Sequence, residues 1–309
     1  MAKNRARFKF KFSKDKTIFL IVLLSIIFVV FWHFFKNKNG KNLNFKNVSV
    51  SVHFIDVGQG DCELIMSDGH TVLIDAGEKD RGNFVVKYLN KCGVKKLDYV
   101  IATHPHTDHI GGFSTVFNNV EVNTIVMPQI SKELIPTNLT YKKFLQKIKE
   151  KNINVKKAKV GDVFKLGDGV LNILGPISPN YEKLNDFSVG AIFSYSGFSF
   201  LFCGDMEKRA EKDLLDSGQK INADVFKLSH HGSHTSNTKK FLEAVNPKYC
   251  IAEVGYKNSY GHPHRNVIKI MEKLDVKRFF RTDRDGTIVF TIKDGKIYYK
   301  TEKGKEAVD

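Results

Sequence analysis

The chain runs to 309 residues, 42% hydrophobic and 27% charged, with no internal repeat. That is material for one large core with an appendage, and it excludes a small domain that depends on disulfides. The formal net charge of +16 excludes an acidic exterior and suits two readings equally. One is attraction to polyanions such as nucleic acid, teichoic acid or anionic lipid; the other is a Lys/Asn-rich solvated surface.

Residues 1–16 carry seven Lys/Arg against a single acid, Asp15, and residues 17–35 carry no Asp, Glu, Lys or Arg. Such a run has about the 20 apolar residues that cross a bilayer. It ends in Phe34-Phe35 before Lys36, where a cleavable signal would have small residues, so an uncleaved transmembrane anchor is expected over 17–35. The upstream basic excess predicts a basic cytoplasmic segment, 1–16, and an extracytoplasmic main domain in a single-pass cell-membrane protein. Residues 36–46 read as a polar linker and 47–309 as the domain.

The domain begins strand-like at 48–57 and 62–67, and Asp68-Gly69 turns the chain into 71–75. A helix is expected at 83–90 and a buried strand at 97–102. Thr103-His104-Pro105-His106-Thr107-Asp108-His109 leaves that strand and leads to Gly111-Gly112. Three imidazoles and a carboxylate within six positions are the ligand types of a zinc-like site. In an extended loop His104 and His106 project to one side, and Asp108 and His109 come next where the chain curls. Residues 140–151 place Tyr141, Phe144, Leu145 and Ile148 at helical spacing, an amphipathic helix lying on a sheet. Further strands are expected at 189–195, 198–203, 223–228, 249–253, 287–292 and 296–300, with a last helix at 267–274. Cys203 and Cys250 sit in apolar strands and read as buried, inert thiols; Cys62 and Cys92 receive no assignment.

The His-x-His-x-Asp-His pattern resembles the signature of the metallo-β-lactamase superfamily. The segments 52–61, 73–77, Phe202-Cys203-Gly204-Asp205, Ser229-His230-His231-Gly232-Ser233 and Tyr260-Gly261-His262-Pro263 extend the likeness to the ComEC-like branch. The resemblance implies a four-layer αββα metallo-β-lactamase-like sandwich. It also implies two divalent ions, zinc first and manganese as the alternative, held by His104, His106, Asp108, His109, Asp205 and His230. Asp205 corresponds to the carboxylate between the ions, Asp108 to a group that orients the attacking water, and His262 to one that meets the leaving group.

Asp75 is expected to steady the ligand loop by hydrogen bonds, and Asp61 to stand behind the site. Adjacent residues in an extended chain point apart, so His230 is expected as ligand and His231 as a supporting or substrate-contacting residue. No His occurs in residues 110–204, where the superfamily commonly supplies another ligand. Asn185 and Asp186 stand there instead, so the ion at His104 and His106 is expected to be under-ligated. The implied activity is metal-dependent hydrolysis, first of a phosphodiester in DNA or another polyanionic polymer. Alternatives are a phosphocholine esterase, a lactam or lactone hydrolase, and a non-catalytic polyanion-binding module.

Overall fold

The computed structural model describes residues 23–29, 49–304 and 307–308. The chain divides into two units, 1–47 and 48–309. In the first, residues 23–29 are helical with exposed side chains. The rest of the expected anchor at 17–35 lies outside the described residues, as do segment 1–16 and linker 36–46. Among the described residues no helix is long and apolar enough to cross a membrane.

The second unit contains two sheets. The first strands are β1 (Val50–Phe54), β2 (Glu63–Ser67), β3 (His70–Ile74), β4 (Lys96–Ile101), β5 (Glu121–Met127) and β6 (Asn154–Lys157). Then come β7 (Val163–Leu166), β8 (Gly169–Ile173), β9 (Ala191–Tyr195), β10 (Phe198–Phe202), β11 (Val225–Lys227), β12 (Tyr249–Ala252) and β13 (Arg278–Arg281). The last are β14 (Ile288–Lys293), β15 (Lys296–Thr301) and β16 (Ala307–Val308). One sheet has the order β16-β15-β14-β1-β2-β3-β4-β5-β6 and the other β13-β12-β11-β10-β9-β8-β7.

Alternation along the strands produces three apolar layers. Val50, Val52 and Phe54 from one sheet meet Phe193, Phe200 and Phe202 from the other, with Phe54 and Phe202 stacked at 5.9 Å. Leu64, Leu73 and Val100 face the opposite way, onto the helices Gly82–Lys91, Phe113–Asn119 and Leu139–Glu150. Leu201, Phe226 and Cys250 likewise meet Lys208–Asp216, Lys239–Val245 and Arg265–Lys273. Each fully buried Phe contributes about 2–3 kcal/mol of apolar transfer. The layer order is αββα.

The helix expected at 140–151 forms as Leu139–Glu150, with the Asn138 side chain accepting from the Tyr141 N–H at its start. Strands β3, β4, β5 and β6 run parallel, and so do β10, β11, β12 and β13. The loops leaving β3, β4, β10, β11 and β12 carry the candidate residues, as expected of parallel strand ends. All four cysteines are free thiols.

Candidate metal centre

The loop after β4 is fixed from behind by Asp75, at the end of β3. Asp75 accepts from the Thr103 N–H at 2.9 Å, the Thr103 hydroxyl at 2.6 Å and His109 Nδ1 at 2.7 Å. A carboxylate with these donors places the proton of His109 on Nδ1 and leaves Nε2 facing Asp205 Oδ1, 3.3 Å away. Asp75 thus steadies the ligand loop. Gly60 admits the same loop from the other side: a Cβ there would lie 2.2 Å from the Asp108 carbonyl oxygen.

His231 repeats this arrangement. Its Nδ1 lies 3.0 Å from the Glu253 carbonyl, which only accepts, and 3.1 Å from Asp61 Oδ1. Its Nε2 is left 3.2 Å from Asp108 Oδ2 and 3.7 Å from Asp205 Oδ1. Asp108, His109, Asp205 and His231 therefore form one donor cluster. His104, His106 and Asp205 form a second, in which His104 Nε2 lies 3.0 Å from His106 Nδ1 and 3.8 Å from Asp205 Oδ2. Asp205 belongs to both.

The expected assignment of His230 and His231 changes here. His231, not His230, joins Asp108 and His109, while His230 Nε2 approaches Asp205 Oδ2 at 3.5 Å, on the side of His104 and His106. The alternation argument failed because this backbone is not extended. His230 (φ 49°, ψ 49°) and His231 (φ 55°, ψ 23°) both adopt left-handed conformations, and Gly232 follows at φ 80°. Non-glycine residues rarely do so, and two in succession mark a functional constraint. Asn237 pins the turn: it accepts from the Ser229 N–H and donates to the carbonyls of Ser229 and Ser233.

The under-ligated ion expected at His104 and His106 thus has His230 beside it. Asn185 is also at hand, its Nδ2 3.5 Å from His230 Nδ1 and its buried Oδ1 without a hydrogen-bond partner. Asp186 is not at the centre; it accepts from the N–H groups of Glu207 and Ala210 and lines a separate depression with Lys183 and Arg209.

The charge balance of the donor set fits divalent cations. Burial alone would depress His109, but Asp205, Asp108, Asp61 and Asp75 outweigh it and hold its pKa well above the ordinary value. Burial also works against His231, which its acidic neighbours raise to about 10. Desolvation would lift Asp205, yet His109, His231 and His230 hold it well below the usual carboxylate range. Burial keeps His104 and His106 neutral, the form that binds metal. His109 Nε2 and Asp205 Oδ1 are buried without a hydrogen-bond partner. Cations placed among these atoms would satisfy imidazole lone pairs and carboxylates together, which hydrogen bonding alone does not.

A cavity of about 440 Å³ opens onto this set, lined by His106, Asp108, Asn185, Asp205, His230 and His262, among others. The His262 ring lies 5.5 Å from that of His230 and 5.9 Å from that of His231. Burial, with His231, His230 and His264 as neighbours, pushes its pKa down to about 3. It is a neutral ring here.

Behind the centre lies a group that sequence reasoning missed. Lys227 is fully buried and ion-paired with Asp61, beside Glu63 and Glu253. A Lys in a three-residue strand between Phe226 and Leu228 gives no signal of this in sequence.

Comparison with known proteins agrees with the geometry. A profile described as the metallo-beta-lactamase superfamily matches residues 55–251. The chain is 31% identical over 263 residues to ComE operon protein 3 of Bacillus subtilis (strain 168), covering 79% of this chain and 33% of that protein. It is 28% identical to competence protein ComA of Neisseria gonorrhoeae, covering 78% and 32%. The chain therefore spans about a third of the length of these curated relatives. Among solved structures, CmlA, a diiron β-hydroxylase from Streptomyces venezuelae, shares the fold with a TM-score of 0.54 at 13% identity, covering 79% of this chain and 54% of that one. ComE operon protein 3 and competence protein ComA resemble it in sequence, and the profile match takes in more than half of the chain and runs through the loops bearing His104, Asp205 and His231, so this chain belongs to the metallo-beta-lactamase superfamily.

Proposed function

We propose that this chain is a metal-dependent phosphodiesterase acting on DNA or a similar phosphodiester polymer, anchored in the membrane by residues 17–35 with its domain outside. The observation that carries the hydrolase reading is the position of Asp205, shared by two donor clusters at the floor of an open cavity. When bound there, divalent ions, zinc or manganese, would supply Lewis-acid activation of water and neutralise developing negative charge.

The chain's own residues supply the rest. Asp108 is ionised, since His109 and His231 outweigh its burial and hold its carboxyl low. With an oxygen in the cavity it can orient a water and accept its proton. His231 fixes Asp108 by the contact at 3.2 Å. His262, neutral at working pH, offers a hydrogen-bond donor to a leaving oxygen without bringing a charge. Asp75 and Thr103 keep the ligand loop from turning.

A phosphodiester is favoured by the basic composition and by likeness to a relative named a competence protein. Strand β6 pairs in parallel with β5, Lys157 opposite Met127, so Lys157 and Lys159 lie at the same end of the sheet as the His104 loop. Lys156 is already paired with Asp162 at 3.1 Å.

The test offers single-stranded DNA, a bis(nitrophenyl) phosphate ester and a lactam in parallel to the purified full chain with Zn2+ or Mn2+. Cleavage of the phosphodiesters is expected, with DNA affinity falling as salt rises. Lys157→Gln with Lys159→Gln should flatten that slope by about two phosphate contacts. Turnover of the lactam alone overturns the reading. Protease added to intact cells should digest the domain; full protection overturns the orientation.

A further inference from the structure

On the loop that follows β12 two tyrosines stand out of the fold. Tyr256 is 73% exposed and Tyr260 64%, the highest values among the exposed large hydrophobic side chains of the described residues. Tyr260 lines the metal cavity, and its ring is stacked on His262 at 5.6 Å and 18°. An apolar ring held in water on one face gains little for its own fold.

The segment that presents them is firmly held. The Val254 N–H donates to the Thr282 hydroxyl at 2.8 Å and the Gly255 N–H to Gln59 Oε1 at 3.2 Å. Asn258 closes the loop: its Nδ2 donates to the carbonyls of Gly255 and His262, and its Oδ1 accepts from the His262 N–H at 2.9 Å. Rings on a pinned loop bind flat groups at low entropic cost.

The segment itself is basic. Residues 254–271 contain no acid and include Lys257, Arg265 and Lys269. Lys257 Nζ lies over the Tyr256 ring, 5.3 Å from its centre. A second cation on that ring, such as a choline headgroup, is repelled by the first, whereas an anionic strand gains from it. The flat, sequence-tolerant partner of an aromatic ring beside a phosphate-binding site is an unpaired nucleobase.

We propose that Tyr260, at the mouth of the metal cavity, and Tyr256, exposed on the same pinned loop, are base-stacking surfaces, so that the chain holds single-stranded nucleic acid by its bases as well as its phosphates. This rests on the phosphodiester-polymer reading above and sharpens it, because stacking distinguishes nucleic acid from phosphodiester polymers without bases and single strands from duplex.

The test measures binding rather than turnover. The full chain, kept metal-free with chelator, is titrated into a fluorescent twelve-nucleotide oligothymidylate and into an abasic strand of the same length and charge, following anisotropy. The base-bearing strand should bind on the order of tenfold tighter, one stacked ring's contribution or more. In Tyr256→Ala/Tyr260→Ala the preference should vanish, both strands binding as the abasic one does. Tyr256→Phe/Tyr260→Phe, which keeps the rings, should retain it. Equal binding of both strands by the unaltered chain, or a preference that survives the double alanine variant, overturns the platform while leaving the polymer reading intact. Displacement of the strand by millimolar phosphocholine assigns the rings to a cationic headgroup and also overturns it. Failure of both strands to bind removes the nucleic-acid reading and the platform together.

Discussion

His230 and His231 are consecutive in the chain yet serve opposite oxygens of one carboxylate, His230 Nε2 lying 3.5 Å from Asp205 Oδ2 and His231 Nε2 3.7 Å from Asp205 Oδ1. A strand would send one of the two rings away from the site, and a right-handed turn is not what the backbone adopts. Two left-handed residues followed by glycine bring both rings to Asp205. The arrangement costs about 1–2 kcal/mol per residue, offset by the buried bonds that hold the turn.

Asn237→Ala tests that cost. The substitution strips hydrogen bonds from the Ser229 N–H and the Ser229 and Ser233 carbonyls in a buried turn. Unfolding in urea should show a loss of about 2–4 kcal/mol, and bound metal per chain should fall. Unchanged stability together with full metal content would show that the turn holds itself.

The supporting and ligating carboxylates should separate in a metal titration. Asp75→Asn keeps the size of the side chain but weakens its hold on His109 and Thr103, and should lower metal affinity by roughly 10–100-fold. Asp205→Asn alters the one carboxylate common to both clusters and should cost more, with hydrolysis abolished. His104→Ala should cause partial metal loss. An Asp205→Asn chain that binds two ions and turns over normally would disprove the shared position.

Acidity should govern occupancy. In the metal-free chain the His231 pKa rises from its ordinary 6.5 to about 10, and that of His109 is also raised. A raised histidine pKa stabilises the fold fully below 6.5, and the contribution drains away as pH climbs towards 10. Metal reverses the sign, because binding must expel these protons, so affinity increases with pH across that window. Titrating Zn2+ at pH 7 into a weakly buffered sample should release about two protons per pair of ions, read with an indicator dye. No release would place both rings in the neutral form.

Lys227→Met leaves the Asp61 carboxylate buried without its cation, which should destabilise the chain by about 3–5 kcal/mol. Adding Asp61→Asn removes the stranded charge and should recover part of the loss. Additive effects in the double variant would mean that the two residues are not coupled.

What could be read in sequence follows from local rules. The His104–His109 loop obeys a period of two where it is extended, so its candidate donor residues were visible, as were the alternating strands and the 3.6-residue stripe of Leu139–Glu150. His231 was assigned the wrong place because φ above zero at a non-glycine residue has no compositional mark. Asp186 was expected with Asn185 beside the under-ligated ion, but the backbone N–H groups of Glu207 and Ala210, 21 and 24 residues further along the chain, claim it. The Lys227–Asp61 pair spans 166 residues of sequence, and nothing local announces it.

The two sheets contribute unequal parts to the centre: His104, His106, Asp108 and His109 leave β4 of the nine-stranded sheet, while Asp205, His230 and His231 leave β10 and β11 of the seven-stranded one. Neither sheet alone carries a complete donor set. Bound ions would therefore rivet the two leaves of the sandwich at one rim, and metal supply would set how readily that rim opens. Limited proteolysis should then slow at this edge when metal is added and hardly change at the opposite edge. Such a chain would be more than catalytically idle when starved of metal; it would also come apart first at the mouth where substrate enters.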